Sequence, residues 1–330
     1  MMRSSLGRLL AVAALLLGAA LPVGTKAAEA GATPLILGYV NANSVYWDLD
    51  VAIDHDFFRN EGFAPEIVPP QSSPQAIQLL ISRSIDLAAA QPEPLIAAVT
   101  RGANEIAAFA APNDRPDWFL NVRPEIKSWA DLKGKTLGVS ALRVGEFWLT
   151  RRLLAAQGLT QADWNVIQVG TSPSKFAALQ KGSIAGAVLF QPLAQQAVKD
   201  GFPKLAAYDT VGRYPPILYV VSRQWATKNG NGARLGRVIE RAHAWLQDPK
   251  NRDEAIASLA RHTKRDADIL GSIYDLYFVT GKIFSRNGAV DKAAMGQLVS
   301  LMVENGEIPQ AAAPRPGQYL IQVENGGLQR

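Results

Sequence analysis

The sequence predicts an α/β protein built as two lobes, each on a doubly wound sheet. Three observations carry that prediction. Short, continuously apolar, β-rich runs alternate with helical stretches, as expected for strands covered by helices on both faces. The alternation runs once, breaks, and restarts. The chain has 330 residues, 48% hydrophobic and 19% charged, enough for about two domains with ordinary cores.

In the first series, residues 35–40 (LILGYV) read as a strand. Trp47, Val51, Phe57 and Phe58 then recur at helical spacing over 47–58, and Gly62 follows where that helix would end. A second strand is expected over 66–69. Ser73-Pro74 starts a helix, with proline in its first turn. Residues 86–90 (DLAAA) read as a strand, 92–100 as a helix stopped by Gly102, and 105–111 as a strand. The second series opens with a short helix over 128–132 and a strand over 136–140 (TLGVS). A helix over 145–157 ends at Gly158, a strand spans 165–169, and a helix over 173–180 ends at Gly182. A strand spans 186–190 (GAVLF), a helix over 192–199 ends at Gly201, and strands follow over 205–208 and 217–222. From Ala233 the pattern is all helical, near 233–247, 252–262, 265–281 and 291–304, and such helices return to cover an earlier sheet. Ligands of open sheets sit beyond the carboxyl ends of the strands. With two lobes, both sets of strand ends can face one cleft and close on it about a hinge.

Residues 1–27 read as a secretory signal peptide: Arg3 and Arg8, an apolar stretch over 9–20, then small residues around Thr25-Lys26-Ala27. That stretch is short for a bilayer, which takes about 20 apolar residues. The formal charge of +5 falls to +2 without Arg3, Arg8 and Lys26, and no Lys/Arg run remains as a footprint for nucleic acid. The cysteine count is zero, which excludes disulfides, thiolate metal sites, cysteine nucleophiles and a lipid-anchor cysteine. His55, His243 and His262 lack the i, i+4 partner of a zinc helix. Gly134-Lys135-Thr136 looks like the end of a P-loop, but Trp129 stands where its first glycine belongs. Neither G-x-S-x-G nor G-x-G-x-x-G is present. The acids Asp48, Asp50, Asp54 and Asp56 place Ile53 where a calcium loop needs glycine, and they read as the solvated side of a helix. No cofactor or metal is expected.

Several stretches then combine in order: DHDFFRNEG over 54–62, SIDL over 84–87, ADLKGKTLGV over 130–139 and LLAAQGL over 153–159. LQKGSIAGAV over 179–188, FSRNGAV over 284–290 and ENGEI over 304–308 complete the set. Across 34–310 the chain resembles the periplasmic solute-binding proteins of ABC importers of the nitrate/sulfonate/taurine and thiamine-pyrimidine-precursor type. Two positions depart from that pattern: Arg83 stands where glycine is usual, and Ala185 where aspartate is usual. The resemblance implies a type II, Venus-flytrap fold with crossovers near 118–126 and 210–222. It places 34–120 and 220–330 in lobe 1, with the C-terminal helices, and 121–219 in lobe 2. It also implies a periplasmic protein that hands a small solute to a permease and its ATPase subunits without chemistry; a monomer is expected. A periplasmic sensor partner stays open, as does a periplasmic enzyme. A thiamine-pyrimidine synthase resembles the same family, but its cysteine-rich motif has no counterpart here. The effector domains of transcription regulators need a DNA-binding domain where the leader stands.

Candidate contacts follow from the strand ends. After the first strand come Asn43, Ser44, Tyr46 and Trp47, where backbone N–H groups converge on a helix start; Asn43 or Ser44 can equally cap that helix. Gln91 and Glu93 follow the 86–90 strand, and Glu93 suits either a helix first turn or a solute with an amine or other donor. Ser140, Arg143, Glu146 and Phe147 follow the 136–140 strand, with Arg143 a candidate two-bond clamp for a sulfonate or carboxylate. Thr171 and Ser172, then Phe190 and Gln191, end the next strands, and Tyr214 lies in the second crossover beside Arg213. Core packing is the default for Trp47 and Phe147. The aromatics favour an organic solute: a small organic anion first, with a neutral heterocycle such as a thiamine-precursor pyrimidine as the alternative.

Overall fold

The computed structural model describes residues 31–39, 43–210, 213–324 and 327–329. The leader read over 1–27, the end of the first strand at Val40, and Asn41 and Ala42 lie outside the described residues.

The first series comprises β1 (Thr33–Gly38), α1 (Trp47–Asp54), α2 (Phe57–Asn60), β2 (Phe63–Ile67), α3 (Ser73–Ile81), β3 (Leu87–Ala90), α4 (Pro92–Thr100) and β4 (Ile106–Ala110). The second comprises β5 (Phe119–Val122), β6 (Thr136–Val139), α5 (Gly145–Ala156), β7 (Asn165–Gln168), α6 (Ser172–Gln180), β8 (Gly186–Leu189), α7 (Leu193–Lys199) and β9 (Lys204–Ala207). The chain returns through β10 (Leu218–Ser222), α8 (Arg223–Thr227), α9 (Asn231–Gln247), α10 (Arg252–Thr263), α11 (Ala267–Tyr274), α12 (Lys292–Glu304) and α13 (Pro316–Tyr319), and ends in the hairpin β11 (Gln322–Glu324) and β12 (Gly327–Gln329).

Two five-stranded sheets result, in the orders β2-β1-β3-β10-β4 and β7-β6-β8-β5-β9. The orders are equivalent. In each, one strand runs antiparallel to its two neighbours and is contributed by chain arriving from the other sheet: β10 in the first, β5 in the second. These exchanged strands give the two-lobed periplasmic-binding-protein fold that the resemblance implies. The crossovers run over 111–118 and 208–217. The first therefore lies ahead of the expected 118–126, because Pro112 and Pro116 keep 111–118 irregular while Phe119–Val122, past the prolines, pairs as β5.

Three other expectations need correction. The helix read over 47–58 is broken at Asp56, whose φ of 57° is left-handed, a conformation that Asp tolerates better than most residues. The helix read over 265–281 changes after Tyr274 into a π-helical turn, Asp275–Val279. The acid cluster is not simply a solvated face: Asp48 and Asp50 are fully buried, the Asp54 side chain is 17% exposed, and Asp56 is exposed. The partners come from distant elements of the chain. Asp48 meets His243 Nε2 at 2.9 Å and accepts from Tyr219 at 2.6 Å, while Asp54 accepts from Ser258 and Arg261, each at 2.7 Å. Helices α9 and α10 thus return to cover the first sheet, and their polar groups pair with acids that look solvated when α1 is read alone.

Both departures from the family pattern have a local reading. Arg83 adopts φ of 61°, the left-handed conformation that glycine takes readily, and Gly182 has φ of 75° at the corresponding point of the second lobe. Asp86 accepts from Ile36 N at 2.8 Å, tying β3 to β1. Ala185 keeps the backbone bond to Thr136 O at 2.8 Å but has no carboxylate with which to repeat the side-chain bond.

One core cluster fills the face of the first sheet under α1 and α9–α11. A second starts under α3 and α4 and continues through Trp118 and Tyr214 into the second lobe; a third lies under α6 and α7. Among the described residues no helix is long and apolar enough to cross a membrane.

Candidate functional site

The loops at the carboxyl ends of the strands meet between the lobes. Glu93, in the first turn of α4, is 2% exposed. Its Oε1 accepts from Gly145 N, the first residue of α5, at 2.9 Å and from Tyr214 OH at 2.5 Å. Val144, at the N-cap of α5, offers no side-chain cap, so a carboxylate from the first lobe caps a helix of the second. The fit is close: a Cβ at residue 145 would lie 2.2 Å from Tyr214 OH. Burial pushes the Glu93 carboxyl up to about 7, opposed by the Tyr214 and Gly145 hydrogen bonds and assisted by the charge of Glu146.

Glu146 is fully buried one residue further along α5. Its Oε1 accepts from Ser140 N at 3.0 Å and from Lys175 Nζ at 2.8 Å. Lys175 also donates to Ser140 Oγ at 3.0 Å and lies 4.9 Å from the Phe190 ring centre. Burial lowers the Lys175 ammonium and the Glu146 charge opposes that shift. The Phe190 ring stacks on Trp118 at 4.9 Å, and Tyr214 meets Trp118 edge-on at 5.8 Å.

A second buried group lies beside the first crossover. Tyr277 OH donates to Asp117 and pairs with Ser44 Oγ at 2.9 Å. Ser44 N donates across the lobes to Gln191 O at 3.3 Å, and Gln191 Nε2 donates to Asp117 O at 3.2 Å. Burial raises Asp117 to about 6, against the Tyr277 hydrogen bond. Four buried side chains between the strand ends and crossovers keep unpartnered atoms: Gln91 Nε2, Glu93 Oε2, Glu146 Oε2, and both polar atoms of Asn113. Buried polar atoms without partners are costly, and a polar molecule that reached these would gain by pairing them.

Of the residues expected at the site, the structure gathers Ser44, Gln91, Glu93, Ser140, Glu146, Phe190, Gln191 and Tyr214 into these groups. Asn43 is a cap: its Oδ1 accepts from Val45 N at 3.0 Å. Tyr46 is buried with its ring 5.2 Å from Tyr39. Trp47 belongs to the first lobe's core, donating from Nε1 to Ala255 O at 3.0 Å. Phe147 packs edge-on to Trp164 at 6.4 Å. Thr171 is exposed at the N-cap of α6, and Ser172 Oγ accepts from Phe190 N at 3.1 Å. Arg143, expected as a clamp, stands at the rim. Its side chain is 75% exposed and pairs with Glu307 of the first lobe's C-terminal segment, because Glu307 offers a carboxylate at the rim. Exposed pairs contribute about 0–1 kcal/mol. Arg143→Ala is therefore expected to leave solute affinity within about threefold by calorimetry; a loss of tenfold or more would restore the clamp.

Lys175, Asp117, Trp118, Asn113 and Tyr277 are absent from the sequence reading. Lys175 sits on α6 like an ordinary helical lysine, and its partner is 29 residues away. A groove of about 1040 Å³ between α5 and α12, lined by Arg151, Trp164 and Glu304 among others, lies apart from the strand ends and contains none of the gathered residues. Among the described residues no cluster of three or more His, Asp or Glu could hold a metal ion.

Comparison with known structures finds the same fold. The alkanesulfonate-binding protein SsuA of Xanthomonas axonopodis pv. citri, solved with MOPS bound, is similar at TM-score 0.72 and 19% identity, over 88% of this chain and 99% of that one. The periplasmic nitrate-binding protein NrtA of Synechocystis PCC 6803 is similar at TM-score 0.69 and 16% identity, over 85% and 83%. DSZB, solved with biphenyl-2-sulfinic acid, is similar at TM-score 0.61 and 14% identity, over 87% and 97%. No curated protein matches the chain in sequence. The NMT1/THI5-like family model matches residues 43–251, well over half of the chain and both sets of strand-end loops, and the chain belongs to that family.

Proposed function

We infer that this chain is the solute-binding component of an ABC importer, working as a periplasmic monomer after export on its 1–27 leader. A small organic solute enters between the strand ends, the two lobes joined by the crossovers at 111–118 and 208–217 close about them, and the closed form docks on the permease and its ATPase. The observation that carries this reading is the Glu93–Gly145 bond at 2.9 Å, where the two lobes meet at their strand ends beside unpartnered buried polar atoms. The neighbours named for sulfonate and nitrate binding support the solute-binding role, and their names suggest an organic anion as one solute class.

The role is capture without turnover. Asp48, His243 and Ser285 fall in the chemical order of a hydrolytic triad, but their geometry is structural. Ser285 Oγ lies 3.4 Å from His243 Nδ1, but Nδ1 is nearer Ser285 O, at 2.8 Å, and the hydroxyl donates to Ala111 O at 3.0 Å and accepts from Gly288 N at 2.7 Å. His243 and Asp48 are both fully buried.

A thermal-shift screen of the chain from Ala28 onward tests the reading. A ligand at a hundredfold excess over Kd adds about 2.7 kcal/mol, which at roughly 2–4 °C per kcal/mol is a rise of about 5–11 °C. The panel holds alkanesulfonates, taurine, nitrate, aromatic carboxylates, pyrimidines and organic amines. A hit recovered unchanged supports capture; a hit recovered as product overturns it in favour of an enzyme.

A further inference from the structure

Two features of the second lobe would ordinarily hold an anionic solute: the N-terminus of α5 and the buried ammonium of Lys175. Each is already occupied by a carboxylate of the protein. Glu93 takes Gly145 N at 2.9 Å, and Glu146 takes Lys175 Nζ at 2.8 Å together with Ser140 N at 3.0 Å. Each carboxylate spends one oxygen in doing so. The second oxygens, Glu93 Oε2 and Glu146 Oε2, are buried and without a partner. Asp117 adds a third buried acid beside the crossover, and Lys175 is the one buried cation among the described residues. Arg143 lies outside at the rim, paired with Glu307.

We propose that the cleft is built for a solute bearing a cationic nitrogen group, an amine, amidine or guanidine, whose N–H donors are read by Glu93 Oε2 and Glu146 Oε2. This deepens the solute-binding reading and rests on it. An acceptor-only anion would bring charge of the same sign to two buried carboxylates and leave both free oxygens unpaired. An N–H cation pairs both oxygens and supplies a counter-charge for Glu93, Glu146 already having Lys175. The nearby Trp118, Phe190 and Tyr214 rings suit an apolar or aromatic body behind that group, and aromatic faces also attract cations. Glu93 makes the subsite conditional on closure, because the bond that orients it comes from the other lobe.

The test is a matched panel on the chain from Ala28 onward, by thermal shift and then calorimetry: benzamidine, phenethylamine and agmatine against benzoate, benzenesulfonate and propanesulfonate. The expected result is binding of one or more of the three cations. Glu93→Gln, which keeps the shape of the side chain, then weakens that cation tenfold or more, while Arg143→Ala leaves it within threefold. If the anions bind and the cations do not, the proposal is overturned and the solute-binding reading stands. Cation binding that is indifferent to Glu93→Gln, in a variant with unchanged circular dichroism, overturns the assignment to these carboxylates. If no compound of either charge binds, the cationic class falls, and the wider screen decides the solute-binding reading separately.

Discussion

Replacing Lys175 by methionine is expected to destabilise the protein by about 3–5 kcal/mol, because it strands a buried charge. Glu146 and Lys175 are both fully buried, joined at 2.8 Å, and placed on two different helices, α5 and α6. The methionine side chain fills nearly the same volume, so packing changes little, and the cost comes from Glu146 losing its counter-charge. The Glu146→Gln/Lys175→Met double variant removes both charges and should recover most of the loss, since a buried ion pair contributes little net stability over neutral groups of similar shape. Urea denaturation of the single and double variants measures this directly. A single variant within about 1 kcal/mol of the parent would mean that Glu146 is neutral or solvated when alone.

The second large effect is on binding. Gly145→Val puts a side chain where Tyr214 OH already stands, 2.2 Å from the ideal Cβ position and against the ring carbons at 2.4 and 2.5 Å. Tyr214 cannot yield easily: it is buried, lies edge-on to Trp118, and its hydroxyl donates to Glu93. Overpacking of this kind costs about 1–3 kcal/mol. Here the cost falls on the approach of the lobes and not on either sheet, so solute affinity should drop about 5- to 150-fold while the variant stays folded. Calorimetry with the solute found by the screen reads the loss. An unchanged affinity would show that α5 does not meet Tyr214 and Glu93 in the bound state.

Much of this was legible in the sequence for physical reasons that can be named. Strands buried on both faces appear as short apolar runs, and glycines such as Gly158, Gly182 and Gly201, all at positive φ, mark where helices stop. The exchanged strand β5 was harder to see. Its four residues follow a proline-rich crossover, and nothing local distinguishes a strand that pairs with the second sheet from more of the connection. The site divides along the same line. Glu93, Glu146 and Gln191 could be placed because strand-end positions follow from topology alone. Arg143 occupies such a position too, but its side chain finds a nearer partner in Glu307, 164 residues away. Lys175 and Tyr277 were invisible because each acquires its role from a residue far along the chain, Tyr277 from Asp117 at a separation of 160 residues. The buried acids of α1 show the same limit: a charge run reads as solvated until distant helices return with its partners.

In the proposed mechanism the lobes close on a solute held at their strand ends. Small-angle X-ray scattering of the chain from Ala28 onward, with and without the strongest-binding compound of the screen, tests it most directly. The prediction is a larger radius of gyration without the compound, and with it a curve that fits the arrangement in which Glu93 meets Gly145. In Gly145→Val the larger radius should persist at the same compound concentration. A scattering curve that does not change while calorimetry shows the compound bound would contradict closure, and with it the delivery mechanism proposed here.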